Sequence, residues 1–102
     1  MSRREKLEAM LVSDPQDQLL RYMLAMELDK EGDNTRSLSH LAGLMGDASP
    51  YVPAFLMAGQ QLTRLDRIEE AKTAFRAGID AAQIQGDTHA FEELKRFLSE
   101  LD

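Results

Sequence analysis

The sequence predicts an all-α protein of six helices arranged as antiparallel helix–turn–helix pairs. Three observations carry that reading. Apolar residues recur at intervals of three and four. No run of Val, Ile, Thr and aromatic residues alternates with period two. Breaks rich in Gly, Pro and Asp, such as SDPQD (13–17) and GDASP (46–50), cut the chain into single-helix lengths.

The first segment, 3–12, opens on Ser2 and Glu5, the S-x-x-E spacing of a capping box, and aligns Leu7, Met10 and Leu11 on one stripe. Pro15 stops it by disfavouring helix at Asp14. The second segment, about 18–31, repeats Leu20, Leu24 and Leu28 at every fourth position. Gly32 suits its C-terminal stop, and Asp33 or Asn34 can cap the third helix. That third segment, about 35–45, carries Leu38, Leu41, Leu44 and Met45 on one side. The fourth, about 52–65, lines Phe55, Ala58, Leu62 and Leu65 on one face. The fifth, about 67–85, opens with Asp66-x-x-Glu69, read as a second cap, and shows Ile68, Ala71, Phe75, Gly78, Ile79 and Ala82 on its apolar face. After GDT (86–88) the sixth, about 89–101, places Phe91, Leu94, Phe97, Leu98 and Leu101 together.

The chain also resembles itself at a shift of 34 residues. Leu24 aligns with Ala58, Ala25 with Gly59, Leu28 with Leu62, Ser37 with Ala71, Leu41 with Phe75, and Met45 with Ile79. The turns KEGDN (30–34) and TRLDRI (63–68) superimpose as well. Ala25 and Gly59 are small so that the paired helix approaches closely. Ser37 and Ala71 are small opposite them, and Leu41 and Phe75 fill the space alongside. One such pair cannot bury its whole apolar surface, so pairs must stack.

This pattern resembles the tetratricopeptide repeat, a helix–turn–helix unit of 34 residues. Phe55, Gly59, Leu62, Ala71 and Phe75 match its signature in the second copy, with Ala58 and Gly78 near matches. Leu24, Ala25 and the Gly32-Asp33 turn match in the first. Asp14-Pro15 looks like the end of a preceding unit. The resemblance implies one domain and a short right-handed α-solenoid. It contains a half repeat at 3–12, repeats at 17–50 and 51–85, and a C-terminal capping helix at 88–101. Arg21 replaces the usual large aromatic, so that end of the first pair is expected to be open. Lys95 falls where a further helix would need a small residue, and Glu92, Glu93, Lys95, Arg96 and Glu100 give the last helix the wet face of a cap.

Composition narrows the function. Twelve basic residues face eighteen acidic ones for a net charge of −6, and no basic block occurs. That balance disfavours nucleic acid and anionic membranes. There is no cysteine, hence no disulfide or thiolate chemistry. No apolar run is long enough for a signal peptide or a membrane span, and a soluble, cytoplasmic protein is expected. His40 and His89 lie far apart in sequence, on separate helices. His40 is read as partly buried or superficial, and His89 as solvated. Glu69-Glu70 and Glu92-Glu93 are read as acidic residues in first helical turns, favoured by the helix dipole. With no phosphate loop and no convergent catalytic set, neither an enzyme nor a cofactor is expected.

The resemblance implies instead a concave groove, formed by the first helix of each pair, that holds a peptide or helix of a partner protein. Transferred residue by residue, the groove comprises Leu19, Tyr22, Met23, Met26 and Lys30, then Pro53, Leu56, Met57, Gln60 and Arg64. These lie off the core stripes. Several are methionine or otherwise apolar, as adaptable interaction surfaces are. Equally, the methionines can pack between units or under the last helix. Lys30 and Arg64 occupy equivalent positions, suited either to meet a carboxylate or to oppose the helix dipole. Tyr22, Met26 and Met57 stand where the family's carboxylate-clamping subset needs Lys and Asn, so binding of chaperone tails is not implied. The rival reading is a homodimer that buries the groove or the Arg21 edge.

Overall fold

The computed structural model describes residues 1–102. Its helices are Arg3–Ser13 (α1), Gln18–Lys30 (α2), Asn34–Met45 (α3), Val52–Arg64 (α4), Ile68–Gln85 (α5) and Thr88–Leu101 (α6). They agree with the expected six to within a residue or two at each end. Each helix packs on the next in sequence, and α6 also reaches α4. The result is a slab of 42 × 29 × 18 Å, an all-α stack of helical hairpins.

The turns follow two chemistries. Between α2 and α3, α4 and α5, and α5 and α6 the helix ends in a Schellman-type closure. The N–H of Asp33 donates to the Leu28 carbonyl at 2.9 Å, Arg67 to Leu62 at 2.8 Å and Asp87 to Ala82 at 2.9 Å. The residue before each donor is left-handed: Gly32 (φ 84°), Asp66 (φ 59°) and Gly86 (φ 72°). The remaining junctions are the longer, proline-bearing loops that hold Pro15 and Pro50.

Caps set the helix starts. Ser2 and Glu5 form the expected reciprocal box, and Asp17, Asp33 and Asp87 each accept from the backbone N–H three residues on. Asp66 does not cap α5. It stands at the position of Gly32, where the chain must turn left-handed, and Arg67 takes the cap position without a side-chain bond. The Arg67 guanidinium instead grips Glu70, at 2.6 and 2.7 Å. That pairing holds the Glu70 carboxyl below its ordinary range. Glu69 and Glu70 do lie in the first turn of α5. Glu92 and Glu93 do not, because α6 starts at Thr88 and its first turn has no acid.

The main core runs from Ala25 through α3, α4 and α5 to Leu94 on α6. Helix α4 is its axis, burying Val52, Ala54, Phe55, Ala58, Gly59, Gln61 and Leu62. Two glycines make reciprocal notches. A Cβ on Gly59 would strike the ring of Phe75, and one on Gly78 would lie 2.5 Å from Phe55 Cβ and 3.1 Å from Leu94. Each helix of this pair thus seats the other's phenylalanine. A buried side chain of that size contributes about 1.5–3 kcal/mol. In the earlier pair Ala25 and Ser37 are fully buried, and the Ser37 hydroxyl donates to the Ala25 carbonyl at 2.7 Å. Gln61 Nε2 donates to Ser37 Oγ at 3.0 Å, tying α4 to that contact.

A smaller core of Leu7, Leu24 and Leu28 joins α1 to α2. Two stripe residues depart from expectation. Met10 is 52% exposed because α1 has a packing partner on one side only, and Leu65 is 38% exposed because it has become the C-cap of α4. Nor is the Arg21 end open. Arg21 donates to both Asp47 carboxylate oxygens, at 2.7 and 3.3 Å, over the backbone of Gly43. Gln18 adds bonds to Asp47 and to the Ser49 carbonyl. At a shift of 34, Arg21 stands at the register position of Phe55 in the second hairpin.

Candidate functional site

Alternate helices α2, α4 and α6 converge at their C-terminal ends on a cleft of about 420 Å³. Met57, Gln60 and Arg64 reach it from α4, Asp29 from α2, and Phe97, Glu100 and Leu101 from α6, with Phe75 behind. The local sequence explains the placement. Met57, Gln60 and Arg64 are spaced by three and four residues, one face of a helix, beside the buried face that carries Ala58 and Leu62. The Phe97 ring lies against that of Phe75 (5.9 Å between centroids, 21°), and the Arg96 guanidinium covers it at 4.7 Å. A second, smaller cleft of about 180 Å³ lies where α4 and α6 begin. It is lined by Pro53 and Leu56 with Asp87, His89 and Glu93 among others.

The transferred groove residues are therefore distributed. Tyr22 leans on the main core and on Tyr51 (5.3 Å, 58°). Burial, with Tyr51 alongside, pushes its phenol above the ordinary tyrosine range. Leu56 and Met57 are half-buried against the same core. Met23 is drawn into the small core between α1 and α2. Met26 is half-buried, while Leu19 is 55% exposed.

Electrostatics divides the groove more sharply. Lys30 and Arg64 are both paired within the chain. Arg64 reaches across from α4 to Asp29 Oδ2 at 2.9 Å, and Lys30 lies 3.4 Å from Glu27, which also holds Arg3 at 2.8 Å. Asp29 Oδ1 is buried and accepts no hydrogen bond. Sequence reasoning missed Asp29, Glu100, Phe97 and Leu101 as lining residues. The three on α6 read in the sequence only as a stripe and an outer face, and nothing in their spacing says which helix they approach.

His40 is half-buried, as expected, and burial, with Arg36 and Arg21 nearby, lowers its imidazole. His89 is exposed. No group of three or more His, Asp or Glu side chains converges to hold a metal ion. No helix is long and apolar enough to cross a membrane.

A stack of helical hairpins with a cleft between alternate helices defines a repeat protein of the solenoid class. Known proteins narrow this further. The chain is 29% identical over 98 residues to a TPR repeat-containing protein of Pseudomonas aeruginosa, covering 96% of this chain and 93% of that one. A tetratricopeptide repeat domain protein from Salinibacter ruber, solved by NMR, superimposes with a TM-score of 0.79 at 29% identity, over 85% of this chain and 88% of that one. A protein from Bordetella parapertussis reaches a TM-score of 0.79 at 32% identity, over 99% and 88%. No family model matches the chain. In sequence and in fold the chain is similar to members of the tetratricopeptide-repeat family. Members are in general non-catalytic modules for protein interaction.

Proposed function

We propose that the protein is a small adaptor that holds a peptide or helix of a partner protein in the groove of α2, α4 and α6. On this reading α1 is a half repeat, 17–50 and 51–85 are the two full repeats, 88–101 is the cap, and the protein works in the cytoplasm. The contact residues are Leu19, Tyr22, Met23, Met26, Lys30, Pro53, Leu56, Met57, Gln60 and Arg64. Tyr22 and Met23 act chiefly by shaping the wall. The observation that carries the proposal is the cleft of about 420 Å³ into which Met57, Gln60 and Arg64 project beside Phe97 and Leu101. Apolar concavities with a few polar groups at the edge are where ligands bind.

Affinity capture from a lysate of the source organism tests it, with wild type and a Met26→Glu/Leu56→Glu variant as parallel baits. The expected outcome is a protein retained by wild type and lost from the variant. Equal retention by a variant whose helical circular dichroism is unchanged would count against the groove.

A further inference from the structure

Resting on that groove reading, we propose that the partner segment is basic: an amphipathic stretch that seats an apolar side chain on Met57, Phe97 and Leu101 and sets a Lys or Arg against Asp29 and Glu100. Charge complementarity selects this occupant. Four carboxylates line the two clefts, Asp29 and Glu100 in the larger and Asp87 and Glu93 in the smaller, and Arg64 is the one Lys or Arg among the lining residues. Arg64 is already engaged by Asp29 Oδ2 at 2.9 Å, and Lys30 by Glu27 at 3.4 Å. The carboxylates keep acceptor capacity that these pairs do not use. The Glu100 side chain is 57% exposed and has only Arg96, at 3.8 Å, and the Asp29 side chain stays 20% exposed beside Arg64. A guanidinium or ammonium has donors and no acceptor. Its aliphatic stem suits an apolar floor while its head stays at the rim. An acidic segment meets two cations already paired within the chain, and like charge.

Binding of model helices by fluorescence anisotropy tests this. Three labelled peptides share their leucine positions and carry Lys, Gln or Glu elsewhere, and each is titrated with the full-length protein. The Lys peptide is expected to bind about tenfold more tightly than the Gln peptide, the size of one charge-assisted contact, and the Glu peptide most weakly. Asp29→Asn/Glu100→Gln should remove that preference, and Glu100→Gln alone, which leaves the Arg64–Asp29 pair intact, should reduce it. Glu69→Gln/Asp80→Asn on α5 changes net charge equally and should leave it unchanged. If Lys and Gln peptides bind alike and Met57→Glu weakens both, the basic partner is wrong while the groove stands. If Met57→Glu weakens neither, or no peptide binds, both readings fall. If the α5 variant erases the preference as fully as the cleft variant, the attraction is general charge and the proposal is wrong.

Discussion

The two helical hairpins share a register and differ in what fills it. At α4–α5 the contact is an apolar interlock, Phe75 over Gly59 and Phe55 over Gly78. At α2–α3 the equivalent positions are held by Leu41 with Ala25, and by Arg21 with Leu44. There Arg21 turns aside to Asp47, and Ser37 bonds the Ala25 carbonyl. The spacing of small residues fixes how closely helices approach, but not the chemistry that fills the gap. Where the phenylalanine is missing, a guanidinium with a carboxylate partner takes its register position, over Gly43.

Four substitutions probe the difference between the apolar interlock and its polar counterpart. The largest expected effect is Phe75→Ala. Phe75 is 1% exposed, so a loss of about 3–5 kcal/mol is expected from urea unfolding. Against a total of about 5–15 kcal/mol, that removes a large share of the stability. Next comes Gly59→Ala, which gains helix propensity yet must displace the Phe75 ring. A net destabilisation of about 1–3 kcal/mol is expected in the same experiment, and a stabilised variant would show that the notch is slack. Leu7→Ala, in the small core, should cost about 2 kcal/mol, the low end for such truncations, because α1 packs on one side only. Its signature in hydrogen exchange is faster exchange in α1 with α4 and α5 unchanged.

The smallest effect lies at the polar pin. Hydrogen bonds from Arg21 and Gln18 hold the Asp47 carboxyl below its ordinary value near 3.8. A depressed folded pKa means stability that is present above the unfolded pKa and lost as pH falls below about 4 through the folded one. Asp47→Asn should therefore flatten the acid limb of the stability profile and leave the slope above pH 5 unchanged. An unaltered acid limb would mean that the pin does not hold in solution.

Helix number, helix limits and the repeat were legible in the sequence because each rests on local periodicity and turn chemistry. Asp66 shows where local reasoning misleads. Asp-x-x-Glu reads as a cap, yet the shift of 34 puts Asp66 on Gly32, and the register was the better guide. Arg21 was illegible for a different reason. Its partner Asp47 is 26 residues away, and nothing local marks the two as neighbours. The groove was half legible. Met57, Gln60 and Arg64 do meet in one cleft, but the α6 wall and the pairing of Arg64 with Asp29 depend on how separate helices come together. Met23, off the leucine stripe by spacing, was claimed by α1, a neighbour on the other side.

The bond from Gln61 to Ser37, and from Ser37 to the Ala25 carbonyl, links three helices inside an otherwise apolar layer. Apolar side chains alone would tolerate a slide of α4 along α3 by one turn, about 5.4 Å, since another stripe residue would arrive each time. A slide strands the Gln61 Nε2 and the Ser37 hydroxyl away from water, where each unpaired group costs about 1–3 kcal/mol. The buried bonds thus act as an index mark: their worth lies in making one alignment of the stack cheaper than its neighbours, so that the walls of the cleft always meet at the same offset.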